Sequence, residues 1–113
     1  MDYRFMKGLG FAAVCAGIFF SCQSSPRSAF PTAQTIARSS AARGTDLAML
    51  AQGRKIFTTS CTECHVARPI AGYSVTQWRH NVSVMAPRAR LKPGDRAALE
   101  AYLVAARESL PQS

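Results

Sequence analysis

The sequence predicts an all-α domain of three main helices, on three observations. Three stretches repeat apolar residues at helical spacing, each bounded by helix start and stop signals. No stretch alternates apolar and polar residues as a half-buried strand would. Most prolines and glycines after residue 44 fall between the stretches or at their ends, as loop punctuation does.

The first helix is expected from Asp46 to about Thr58, with Thr45 as N-cap and Asp46 as first-turn acid. Met49, Gly53, Ile56 and Phe57 share one side of it. A helical glycine costs about 1 kcal/mol against alanine, so Gly53 asks for a close helix crossing. A loop marked by Pro69 and Gly72 follows, and Ser74-Val75-Thr76-Gln77 then reads as a capping box. The second helix carries Trp78, Val82 and Met85 on one face and is expected to end near Val84 or Met85, with Pro87 stopping it. The third begins with Pro93 at its first position and Asp95 in its first turn, and runs to about Glu108. Leu99, Tyr102, Leu103 and Ala106 make its apolar face, and Pro111 ends the ordered part.

Between the first two helices lies Cys61-Thr62-Glu63-Cys64-His65. Cys-x-x-Cys-His is the attachment signature of a c-type haem: two thiols form thioethers with the two vinyl groups of one porphyrin, and the histidine sits beneath the iron. Two other readings use the same residues. A thioredoxin-like redox pair needs a strand-to-helix context with a thiolate at a helix start, whereas here a helix precedes the motif. A zinc site would take His80 as fourth ligand, but structural zinc prefers two separated ligand pairs.

The N-terminal segment speaks to compartment. Arg4 and Lys7 precede a 12-residue apolar run from Leu9 to Phe20, too short to cross a bilayer comfortably and suited to an export signal over residues 1–21. The run ends Phe19-Phe20-Ser21-Cys22, which resembles a lipobox with Cys22 as the acylated residue, although Phe19 stands where leucine is usual; ordinary cleavage nearby would leave Cys22 a plain thiol. Cys15 lies inside the run. Residues 22–44 are rich in Ser, Ala, Pro and Arg without sustained periodicity and are expected to form a flexible linker, spanning about 25 Å root-mean-square. The domain proper is expected over 45–113, small enough to need a staple beyond its own core.

The net charge is +8, and loss of residues 1–21 would leave +7. With no nucleic-acid motif in view, the balance suits acidic protein partners, or solubility alone. Arg88, Arg90 and Lys92 put three cations in five residues, a loop placed to steer such partners.

From Thr45 to about Leu110 the chain resembles class I mono-haem cytochromes c. Four features carry this: AxGRKIFxxxCxxCH, Met85 downstream, Leu91-Lys92-Pro93 opening the last helix, and Leu99-x-x-Tyr102-Leu103 on it. The resemblance implies a small cytochrome c-like fold around one covalent haem, first and last helices crossing at Gly53, and Phe57, Leu99 and Tyr102 packed beside the crossing. It implies His65 as proximal ligand and Met85 as sixth ligand, with Trp78 and Val82 lining the haem pocket. It also gives the Pro69 carbonyl the role of accepting a hydrogen bond from His65. At 100° per residue Met85 lies about 20° from Trp78 and His80 about 160° away, which favours Met85 over His80. Lys92 departs from the family in offering no capping side chain. The implied function is a single-electron carrier rather than an enzyme, exported to the periplasm and held at a membrane through Cys22. Alternatives are a haem-bearing subunit of a larger oxidoreductase, or a haem enzyme or sensor with an open sixth position.

Overall fold

The computed structural model describes residues 30–42 and 44–111. Four α-helices occur in chain order: α1 (Ala33–Ala37), α2 (Leu47–Thr58), α3 (Val75–Arg88) and α4 (Pro93–Ser109). Single 3-10 turns lie at Ser40–Ala42, Ser60–Thr62 and Ile70–Gly72, and no strand occurs among the described residues.

The fold is organised around α4, which packs against α1, α2 and α3. Leu99, Tyr102, Leu103 and Ala106 are all buried, as their spacing requires. Gly53 is where α2 meets α4. A Cβ built there would sit 2.5 Å from Tyr102 Cβ and 2.7 Å from the Ala98 carbonyl carbon, and would overlap the Ala98 oxygen. Only hydrogen fits, which is the packing reason its place in a helix calls for. Phe57 is the hub of the aromatic core, with edge-on contacts to Phe30 and Trp78 at 5.4 and 5.7 Å and a tilted one to Tyr102 at 6.2 Å.

Three sequence expectations need correction. The first concerns the linker. Residues 30–42 are folded onto the domain: Thr32 caps α1, Ile36 is fully buried, Ala33 is nearly so, and Tyr102 donates to the Pro31 carbonyl at 2.9 Å. A five-residue helix shows too little periodicity to stand out, and α1 owes its stability to the α2–α4 surface it covers.

The second concerns which residues face inward. On α2, Leu50 is fully buried and Met49 is 36% exposed; on α3, Ala86 is buried and Met85 is 42% exposed. Gly53, Ile56 and Phe57 of α2 and Trp78 and Val82 of α3 are buried as expected, so only the methionine at one end of each face gives way to the residue after it.

The third concerns Pro87, which lies inside α3 rather than ending it. In the last turn its missing N–H deprives only the Ser83 carbonyl of a partner. The helix ends instead in a Schellman motif: Arg90 N–H bonds the Pro87 carbonyl at 3.1 Å and Leu91 N–H bonds the Ala86 carbonyl at 3.0 Å. Arg90 has φ +53°, at the position where glycine is favoured, and a non-glycine residue there costs about 1–2 kcal/mol.

The capping box holds, while the N-cap of α2 shifts by one residue. Ser74 and Gln77 form both bonds of the capping box, at 3.2 and 2.8 Å. Asp46, rather than Thr45, occupies the N-cap of α2, and neither α2 nor α4 has a side-chain cap.

Candidate functional site

The Cys-x-x-Cys-His motif leaves α2 on a short turn tied back to the helix by threonines. Thr58 and Thr59 hydroxyls donate to the Arg54 and Lys55 carbonyls at 2.9 and 2.6 Å, and Thr62 donates to the Thr59 carbonyl from both its amide and its hydroxyl, at 2.9 and 2.7 Å. The Lys55 carbonyl also accepts the Thr59 amide at 3.0 Å, so the hydroxyls add second bonds around the end of α2, where the motif starts. Cys61 is partly buried against the hydrophobic core, and this burial pushes its thiol above the ordinary range. Cys64 and His65 are exposed, and both cysteines are free thiols.

His65 Nδ1 lies 3.0 Å from the Val66 carbonyl. A carbonyl only accepts, so this nitrogen carries the proton and Nε2 keeps its lone pair, the tautomer that binds a metal through Nε2. Pro69 was expected in that accepting role. In the structure its carbonyl takes the Gly72 amide at 3.0 Å, and the residue beside the histidine serves His65. Val66 is itself 86% exposed, an apolar side chain directly after the motif.

Trp78 and Val82 are core residues. Trp78 Nε1 donates to the Ile70 carbonyl at 2.9 Å, which anchors the loop between the motif and α3, and Tyr73 packs edge-on against its ring at 5.0 Å. Met85 sits on the exposed side of α3 next to Val84, which is also exposed. His80 is exposed as well, in a polar surface hollow with Tyr73, Thr76, Gln77 and Asn81. No group of three or more His, Cys, Asp or Glu side chains converges among the described residues, so His80 does not join Cys61, Cys64 and His65. Cys22 and the apolar run from Leu9 to Phe20 lie outside the described residues.

Two polar features near the core were not legible in the sequence. Arg107 is buried on α4, with Nε donating to the Tyr73 carbonyl at 2.9 Å and Nη1 reaching the Pro111 carbonyl at 3.4 Å. Burial pushes the Tyr102 phenol up to about 12, with the Arg54 guanidinium beside it pulling the other way. A single arginine in a helical pattern normally reads as an exposed face, so only the lengths of the neighbouring loops could have hinted at either.

No protein family, curated protein or solved structure matches the chain.

Proposed function

We propose that this chain is an exported mono-haem c-type cytochrome that carries single electrons, attached to a membrane through an acylated Cys22. The observation that carries the reading is the Cys61–His65 motif on a turn pinned to the end of α2, whose Gly53 crosses α4 without room for a side chain. The donor set fits a covalent haem. Two uncommitted thiols flank the turn, and the adjacent imidazole has Nδ1 engaged and Nε2 open. Cys61 and Cys64 would hold the porphyrin, and His65 and Met85 would hold its iron. Haem would supply one iron cycling between ferrous and ferric states.

This chain's own residues do the rest. The threonine-tied turn fixes the two sulfurs relative to α2. The His65–Val66 bond orients the imidazole and holds its tautomer. The hydrophobic core partly shields Cys61 from water. A thioether partner at Met85 would favour the reduced iron relative to a more basic ligand.

The test is to express the full chain with a periplasmic haem-attachment system, denature it, and extract with acidified organic solvent. Haem should stay on the polypeptide, and Cys61→Ala or Cys64→Ala should sharply reduce holoprotein. Complete loss of haem to the solvent would refute attachment.

A further inference from the structure

We propose that the trough between the end of α3 and the start of α4 docks an acidic segment of a partner protein, one that inserts an apolar side chain. This deepens the electron-carrier reading by naming the class of partner, and rests on that reading only for the partner being a redox protein. The trough is floored by Ala86, Pro87, Leu91, Pro93 and Ala97. Its one acidic lining residue, Glu100, is ion-paired with Arg79 at 3.6 Å.

Cations surround that floor. Arg96 lines the trough, and Arg88, Arg90 and Lys92 neighbour lining residues in the chain. All four are exposed, and none has an ion-pair partner among the described residues. An apolar floor inside a positive rim complements an acidic segment with one apolar anchor, the arrangement of an interface core and rim. A concave trough also suits a protruding side chain better than a flat lipid surface would.

Arg90 supplies an independent argument. It holds the left-handed position at which glycine costs nothing, one residue before Leu91 of the trough floor. Replacement by glycine should therefore move stability and binding in opposite directions. A cation with only a solvating role would produce the first effect without the second.

The test uses the full chain with Cys22→Ser, which takes any acyl anchor out of the measurement. The probe is a fluorescein-labelled peptide with three glutamates on each side of a central leucine, read by anisotropy. It should bind, and rising salt should weaken it steeply. Arg90→Gly should weaken binding about threefold while raising Tm by a few degrees. Ala97→Glu, at an exposed position, should weaken it about tenfold with the fold retained. Equal binding of a leucine-to-glycine peptide would refute the apolar anchor. Wild-type affinity in both variants would refute the site. Displacement of the peptide by phosphatidylserine vesicles would assign the surface to lipid and overturn the proposal. None of these readouts depends on haem, so their failure is separate from failure of covalent attachment.

Discussion

Gly53→Ala adds one methyl group and should be among the most damaging single changes in the chain. The new carbon would lie 2.5 Å from Tyr102 Cβ and 2.7 Å from the Ala98 carbonyl carbon, where carbons normally rest about 3.5–4.0 Å apart. Relief therefore requires α2 and α4 to separate by about 1 Å. No side-chain rotation helps, because the obstructing atoms are backbone and a Cβ. Separation would also disturb what hangs on Tyr102, namely its bond to Pro31 and its contact with Phe57. Overpacking costs about 1–3 kcal/mol and sometimes more, while replacing a helical glycine by alanine returns about 1 kcal/mol. With a backbone clash the upper end applies, giving a net loss of about 2–3 kcal/mol. In a domain of this size that lowers Tm by roughly 10 °C or more.

The assay is urea or thermal unfolding by circular dichroism, with Gly94→Ala as internal control. A Cβ at Gly94, in the first turn of α4, meets nothing within 4 Å. That change should stabilise by about 0.5 kcal/mol through the unfolded chain alone. If Gly53→Ala unfolds at or above the wild-type midpoint, the close crossing is wrong, and with it the reason for a glycine in α2.

Two other outcomes test the site and the core. In the haem-loaded protein, Met85→Ala should abolish the near-infrared sulfur-to-iron band, lower the potential and admit carbon monoxide, while His80→Ala leaves all three unchanged; the reverse pattern would make His80 the ligand. The neutral Tyr102 phenol is favoured by burial, so its stabilising contribution is complete below about pH 10, where the unfolded phenol titrates, and is lost as pH rises toward about 12. Urea midpoints across that window should fall more steeply for wild type than for Tyr102→Phe, and parallel curves would show that the phenol is not buried.

The periodic helices were legible because their buried residues recur along one element. Leu99, Tyr102, Leu103 and Ala106 needed no knowledge of what covers them. The phase of α2 and α3 was less legible. Met49 and Leu50, or Met85 and Ala86, differ by 100°, and the choice depends on which neighbour packs there. At the site, the proposed haem attachment rests on the spacing of Cys61, Cys64 and His65. The acceptor for His65 was not readable, because a carbonyl partner is set by the path of the loop and not by residue type. Pro69 and Val66 both offer one, and the loop turns so that Val66 is nearer. The αL position of Arg90 was hidden for the opposite reason: residue type pointed away from it.

The docking of α1 changes what a lipid anchor on Cys22 would permit. A domain starting at Thr45 would hang on at most about 80 Å of chain; one starting at Phe30 hangs on at most about 28 Å. The second value keeps the domain near the bilayer, within reach of membrane-bound partners and away from distant ones. The claim turns on whether α1 stays docked, and its buried Ile36 and the Tyr102–Pro31 bond favour that by about 1.5–3 and about 1 kcal/mol before the cost of ordering the segment. Trypsin reports it directly, because Arg38 is the exposed C-cap of α1. Cleavage after Arg38 requires local opening, so on membrane-bound protein it should be at least about tenfold slower in wild type than in Ile36→Asp. Fragments released early should still begin upstream of Phe30. Equal cleavage rates at Arg38 in the two proteins would mean that α1 does not hold, and would restore the long tether.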